Sequence, residues 1–385
     1  MAGCELLGDS NMPAAARGHT LDTIPTPALV LDAVKVRRNI ERMGAYTRDR
    51  SIANRPHTKT HKSIAIAGLQ LASGAAGLTV AKVGEAEVLA RAFADRAPDI
   101  LVAYPAVDPA RTMRLAALAR AATIRVAVDT PEAIAALAAA AGAAGTTLGI
   151  LVDLDVGSGR TGVPTVDRLV ALAAATDRAA ALRLDGIFYY PGHVTVPPDE
   201  QAAPLGLVDD KLAEAIRRFD ALGLCREIVS GGSTPTAFQS HFVRAGTEIR
   251  PGTCVYNDLN IVRGGFGELE DCAASVVCTV VSDAVRDQVI LDGGSKTLTM
   301  DRCGPAPDSG HGMIVEYPEA FIGKLTEEHA QVDVSRCRSR PRVGERVTVI
   351  PNHICPVVNL HDTAWWHEAD GSLQVLPIDA RGKLS

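Results

Sequence analysis

Between about residues 50 and 250 the chain alternates two kinds of apolar pattern. Short unbroken runs rich in Val, Ile and Leu occur at GLTVA from Gly77, DILVAYP from Asp99, TIRVAVD from Thr123 and LGILVDLD from Leu148. RLDGIFYYPGH from Arg183, REIVSGG from Arg226 and GTEIRPG from Gly246 continue the series. The segment SIANRPHTK leading into Lys59, less apolar than the rest, makes an eighth. Amphipathic, alanine-rich stretches between them predict helices over 84–97, 109–122, 131–144, 166–177 and 201–224. Apolar strands buried on both faces and alternating with helices are the pattern of parallel βα units. Eight of them in about 200 residues predict a closed (β/α)8 TIM-like barrel, with an open doubly wound sheet as the alternative.

The pattern changes after about residue 265. GGFGELED reads as a linker, and CAASVVCTVVSDAVRDQVILDGGSK alternates and turns in the manner of antiparallel strands. ERVTVIPNH and SLQVLPIDARG continue in that style, and the early run PALVLDAVKV is strand-like too. The expected organisation is a flexible tail over 1–20, a barrel domain over 21–262 and a C-terminal, mostly β domain over 263–385. The strand at 27–33 could join either unit. The length agrees, since 385 residues exceed one ordinary core but suit a barrel of about 250 residues plus a second domain.

Composition narrows the partner. An apolar share of 47% and a charged share of 22% are those of a soluble globular protein. A net charge of −6 provides no basic face for nucleic acid or an acidic membrane, so a small molecule is expected. No run approaches the roughly 18–20 apolar residues of a membrane span. Glu5, Asp9 and Arg17 interrupt any signal-peptide core. Eight cysteines without framework spacing predict free thiols and a cytoplasmic setting.

Three clusters could carry chemistry. The first is Arg55-Pro56-His57-Thr58-Lys59-Thr60-His61-Lys62, at the carboxyl end of the first barrel strand, where active groups of such barrels sit. A lysine there can form a Schiff base with an aldehyde cofactor when neighbouring cations such as Arg55, His57 and His61 favour its neutral amine. A solvated basic loop is the plainer reading, and Lys62, expected in the next helix and at the surface, is the competing lysine. The second cluster is Gly231-Gly232-Ser233-Thr234-Pro235-Thr236, after the seventh strand. Its glycines let backbone approach an anion, its hydroxyls can donate, and Pro235 suits the start of a helix. An ordinary threonine cap explains it nearly as well. After the eighth strand, Gly252 and Tyr256 in RPGTCVYND could reach the same phosphate. The third cluster is Pro351-Asn352-His353-Ile354-Cys355-Pro356. In an extended segment residues two apart share a side, so His353 and Cys355 could hold one ion, Zn²⁺ before Mg²⁺ or Ca²⁺. A buried cysteine beside an incidental histidine is the alternative. Arg160 in DLDVGSGRTGV could fix an anionic oxygen, and Tyr190 and His193 in YYPGH could reach the barrel mouth, His193 as an acid or base. EEHA around His329 could lie near the metal or start a helix.

Taken together, PTPALVLD, RPHTKTHKS, GLTVAKVGEAE, GRTGV, YPGH, GGSTPT, RPGTCVYND and PNHICPVVNLHD resemble the D-threonine aldolase/D-serine dehydratase family of alanine-racemase-like, fold type III, pyridoxal-phosphate enzymes. The likeness runs from about Thr26 to Arg381 in the family's order. It implies Lys59 as the cofactor-bearing lysine and Gly232, Ser233 and Thr234 as the phosphate cup, with Gly252 and Tyr256 beside it. It places Arg160 near the cofactor and makes His353 and Cys355 the holders of a divalent ion, Zn²⁺ first and Mn²⁺ second. It also implies a homodimer. Cys355 matches the dehydratase branch, where D-threonine aldolases carry Asp, whereas NLHD from Asn359 and the closing ARG match the aldolase branch.

The expected enzyme is a lyase of D-3-hydroxy amino acids. If His193 or a metal-bound water deprotonates the β-hydroxyl, Cα–Cβ breaks and yields glycine and an aldehyde, the favoured outcome. If Lys59 removes the Cα proton, hydroxide leaves and a 2-oxo acid and ammonia follow. An amino-acid racemase of the same fold and a non-catalytic cofactor carrier are the remoter alternatives.

Overall fold

The computed structural model describes residues 19–385, so of the tail expected over 1–20, residues 1–18 lie outside the described residues. Two compact units are present. One comprises residues 42–59, 67–252 and 382–385; the other comprises the described residues up to Glu41, then 60–66 and 253–381.

In chain order the elements begin with β1 (Ala28–Asp32) and α1 (Ala33–Asp49). The strand-like run from Pro27 therefore changes state at Asp32, whose carboxylate accepts from Lys35 N at 3.0 Å and starts the helix. Next come β2 (Ala53–Asn54), α2 (Ile64–Ala72), β3 (Leu78–Val80), α3 (Val83–Ala92), β4 (Asp99–Val102), α4 (Pro109–Leu118), β5 (Thr123–Val128) and α5 (Pro131–Ala144). The series continues through β6 (Leu148–Leu154), α6 (Val166–Asp177), β7 (Leu182–Tyr189), α7 (Ala202–Leu222), β8 (Ile228–Gly231) and β9 (Glu248–Ile249).

Strands β2 to β9 form one eight-stranded sheet in the order β2-β9-β8-β7-β6-β5-β4-β3, every pair parallel. A parallel bridge between His57 and Thr79 joins its two ends, so the sheet closes. All eight runs read as strands belong to this (β/α)8 barrel. The helices keep their predicted places because their starts are written locally. Asp108, Thr130 and Thr165 accept from the backbone two or three residues into α4, α5 and α6, and Pro109 and Pro131 need no donor there.

Leu101, Ala127, Leu151 and Phe188 fill the barrel interior as one buried cluster. Nearer the amino ends of the strands a chain of charges replaces them. Arg55 Nε donates to both Glu248 oxygens at 2.9 and 3.0 Å, and its Nη1 to Asp99 Oδ1 at 2.7 Å. Asp99 also pairs with Arg125, which reaches Asp185 at 2.8 Å. Glycines make the room: a Cβ on Gly77 would lie 2.1 Å from Arg55 Nη1, and one on Gly149 2.1 Å from Asp185 Oδ2. Arg55→Ala would strand Glu248, only 3% exposed, without its cation. A loss of about 3–5 kcal/mol is expected, read as a lowered thermal midpoint. The double change Arg55→Met with Glu248→Leu should recover part of it; a single variant as stable as the parent would show that the pair carries no such weight.

The other unit holds α8 (Leu259–Arg263), β10 (Ala274–Ser282), β11 (Gln288–Leu291), α9 (Ser295–Leu298), β12 (Met313–Ile314), β13 (Phe321–Leu325), β14 (Ala330–Asp333), β15 (Arg346–Ile350), α10 (Ile354–Leu360), β16 (Thr363–His367) and β17 (Leu373–Pro377). Its sheet runs β13-β14-β11-β10-β1-β16-β17, with β15 pairing β10 and β12. β1 pairs antiparallel with β10 and parallel with β16. This unit is mostly β, as the alternation predicts. EEHA is not a helix start: Glu327, Glu328 and His329 are exposed in the turn of the β13–β14 hairpin, where Thr326 N bonds His329 O. No helix among the described residues is long and apolar enough to cross a membrane, and their cysteines are free thiols.

Candidate active site

The barrel unit places its candidate residues after the carboxyl ends of its strands. Lys59 follows β2; it is exposed, and among the described residues its Nζ has no hydrogen-bond or ion-pair partner. Lys62 reverses the expectation made for it. It is only 7% exposed, and at φ +50° it stands outside α2, which begins at Ile64. The reason is non-local: Ala380 N binds Lys62 O at 2.9 Å, and the Asp379 carboxylate accepts from Ile64 N at 2.7 Å. Of the two lysines, Lys59 carries the accessible amine.

After β8 the chain turns at Gly232, φ +84°, a conformation suited to glycine. A side chain at Gly231 would place its Cβ 1.9 Å from the Tyr189 ring, so backbone replaces side chain at this point. Ser233 and Thr236 share a hydroxyl contact of 3.0 Å, and Ser233 N donates to Thr236 Oγ1 at 3.2 Å. Thr234 is half-buried in the same turn. The expected helix after Pro235 is a short 3₁₀ segment, Ala237–Phe242. Gly252 is buried just beyond β9, where His57 N binds Pro251 O at 3.0 Å. A turn of backbone and small hydroxyl residues suits an anionic oxygen group of a cofactor.

The loop after β6 folds back on its own strand. Asp153 Oδ2 accepts from Thr161 Oγ1 at 2.8 Å, and Asp129 Oδ2 from Gly162 N at 3.0 Å. Asp155 gathers the N–H groups of Gly157 and Gly159. Held at both ends, the loop sets the Arg160 guanidinium 4.2 Å above the Tyr190 ring. The exposed His193 ring packs on Gly157, where a Cβ would sit 2.9 Å from its Cε1 and Nε2. Arg160, Tyr190 and His193 thus belong to one loop system.

Burial raises the Asp153 pKa to about 7, against the Thr161 hydrogen bond and Arg250. A raised carboxyl value means that folding is favoured while the native group stays protonated, and that this contribution fades as pH rises from about 4 through 7. The thermal midpoint of the parent should therefore fall between pH 5 and pH 8 relative to Asp153→Asn, by the equivalent of about 2–4 kcal/mol. Parallel pH curves for the two proteins would refute the assignment.

Tyr256, in the other unit, is fully buried, and its hydroxyl has no hydrogen-bond partner among the described residues. A buried hydroxyl without a partner is uncommon, and this is the one side-chain polar atom of Tyr256. The same unit contains His353 and Cys355. They do not stand on an extended segment: His353 caps α10 and Cys355 lies in its first turn. Asp258 anchors this start, its two carboxylate oxygens accepting from Ile261 N at 3.2 Å and Ile354 N at 3.0 Å. The two side chains still meet. Cys355 hydrogen-bonds His353, Thr60 Oγ1 lies 3.1 Å and Thr253 Oγ1 3.6 Å from its Sγ, and Asp301 Oδ2 lies 2.9 Å from His353 Nδ1.

Burial works to lower the His353 pKa, yet Cys355, Asp258 and Asp301 carry it up to about 9. Burial works to raise Cys355, yet His353 and the Thr60 and Thr253 hydroxyls hold it below the usual thiol value. A thiol whose ionisation is favoured, beside an imidazole, is the donor chemistry of a soft divalent ion. Among the described residues no group of three or more His, Cys, Asp or Glu side chains is placed to hold a metal. Sequence reasoning missed Thr60, Thr253, Asp258 and Asp301. The first three lie inside quoted motifs, whereas Asp301 carries no local signal at all.

Residues 31–260 match the alanine racemase N-terminal domain, and residues 273–366 a serine dehydratase domain. The 3-hydroxy-D-aspartate aldolase of Paracoccus denitrificans (strain Pd 1222) is 32% identical over 96% of this chain and 95% of its own. The D-threonine aldolase from Filomicrobium marinum superposes with a TM-score of 0.86 at 31% identity, covering 94% of this chain and 97% of that one. A D-threo-3-hydroxyaspartate dehydratase, solved as a cysteine-to-alanine mutant in the metal-free form, superposes at 0.84 with 28% identity over 93% and 98%.

Proposed function

Since the chain belongs to the D-threonine aldolase/D-serine dehydratase family of alanine-racemase-like enzymes, we propose that it is a pyridoxal-phosphate- and divalent-metal-dependent lyase that cleaves the Cα–Cβ bond of D-3-hydroxy amino acids. The observation that carries this is the 32% identity, over nearly the whole chain, to a 3-hydroxy-D-aspartate aldolase. The residues fit the two groups: an accessible amine at Lys59, a glycine turn at 231–232, the orphaned Tyr256 hydroxyl, and the His353–Cys355 donor pair. When bound, pyridoxal phosphate supplies an electron sink for charge developing at the substrate Cα, and a divalent ion supplies a Lewis acid for its β-oxygen.

Lys59 would hold the cofactor's aldehyde and give way to the substrate amine. Gly232, Ser233, Thr234, Gly252 and Tyr256 would bind its phosphate, and Arg160, braced on Tyr190, would orient it. His353 and Cys355 would hold the ion. In bond cleavage His193 takes the β-hydroxyl proton. A second reading, β-elimination to a 2-oxo acid and ammonia, uses Lys59 to take the Cα proton. It is favoured by Cys355, since replacement of a cysteine accompanies a metal-free form in the related dehydratase. Nothing in this reading needs nucleic acid or a membrane, and a homodimer is its expected assembly.

Incubation with D-threonine and with 3-hydroxy-D-aspartate separates the readings. Glycine with acetaldehyde or glyoxylate is the expected result. A 2-oxo acid with ammonia would establish the dehydratase instead, and epimerised amino acid alone would overturn both.

A further inference from the structure

We propose that Asp301 is a positioning residue for the metal pair, fixing the His353 ring so that Nε2 is the nitrogen presented to the ion together with Cys355. This rests on the reading of His353 and Cys355 as metal ligands. The carboxylate of Asp301 lies 2.9 Å from His353 Nδ1. A carboxylate only accepts, so in the neutral ring that binds a metal the proton stays on Nδ1 and the lone pair on Nε2. With Nδ1 engaged, Nε2 is the nitrogen left for the Cys355 side, where the two side chains share a hydrogen bond.

The main chain of Asp301 is held to the same place. Asn352, adjacent to His353 and only 2% exposed, donates from Nδ2 to Asp301 O at 3.1 Å and to Gly310 O at 2.8 Å. Asp301 N in turn donates to Thr299 Oγ1 at 3.2 Å. Residue 301 is thus joined to residues 352 and 353 at two points, once through backbone and once through its carboxylate. A carboxylate accepting from a ligand histidine commonly fixes the ring's tautomer and rotation, and its loss lowers metal affinity. The fold has little use for the contact. The side chains of His353 and Asp301 are 41% and 45% exposed, and exposed pairs of this kind add little stability. On that reading the ion has only two protein donors, so their orientation matters more than at a fully protein-ligated site.

The test uses the full chain, freed of metal by a chelator and titrated with Zn²⁺ alone against a chromophoric competitor. His353→Ala and Cys355→Ala should abolish tight binding. Asp301→Ala should weaken it about 10–100-fold, with the metal-free thermal midpoint and the visible band of bound pyridoxal phosphate unchanged. Asp301→Asn keeps an acceptor oxygen for Nδ1 and should recover most of the affinity, a pattern that general loosening of the fold would not give. If Asp301→Ala and Asp301→Asn bind Zn²⁺ like the parent while the two ligand variants do not, the positioning role is wrong and the metal reading stands. If the ligand variants also bind like the parent, the metal reading fails and the role of Asp301 falls with it.

Discussion

Lys59→Ala is expected to retain its fold and, on the proposed function, to lose at least about 10³-fold in turnover, because the amine that would hold the cofactor's aldehyde is gone. The residue is exposed and its Nζ makes no hydrogen bond or ion pair among the described residues, so its removal strands no charge. The check is chemical as well as kinetic. Reduction of the pyridoxal-phosphate-loaded parent with borohydride should fix the cofactor mass on the peptide containing Lys59, and the variant should show neither that label nor the visible band. A label found on Lys62 would transfer the role to that lysine. This is not expected, since Lys62 is buried and held at a left-handed backbone position.

Cys355→Ala and His353→Ala should each drop activity by at least about 10²-fold, with the bound ion lost on gel filtration. Each leaves the other without its partner in a polarised pair, so neither retains half of the site. Cys355→Asp should restore binding but shift preference from Zn²⁺ toward Mn²⁺, because a carboxylate is the harder donor. Turnover unchanged by a chelator, or by Cys355→Ala, would defeat the metal assignment.

The barrel was legible because its instructions are local. The apolar runs of β4 to β7 and the cap-plus-proline starts of α4 and α5 lie within a few residues of what they specify. Departures occur where a distant residue decides. Pro356 makes PNHICPVV look extended, yet in the first turn of α10 its missing N–H costs nothing, and Asp258, nearly a hundred positions earlier, starts that helix. Lys62 looks like surface until residues 379 and 380 bind the same stretch of backbone. Among the site residues, the glycine turn and His353 with Cys355 could be named from motifs. Asp301 could not, because its meaning comes from a contact 52 positions away.

The charge chain inside the barrel also bears on how the protein folds. Arg55 and Glu248 are 193 positions apart, and β9, which begins with Glu248, is the strand that lets the sheet close on β2. Until that strand is made, Arg55 lacks its bidentate partner and β8 presents an open edge. Barrel closure, a step of high contact order, is therefore expected to be late and slow compared with formation of the helices. A nascent chain halted before residue 248 would hold seven strands of a barrel with an open edge, and Arg55 with Asp99 but without Glu248, a combination suited to aggregation and to chaperone capture.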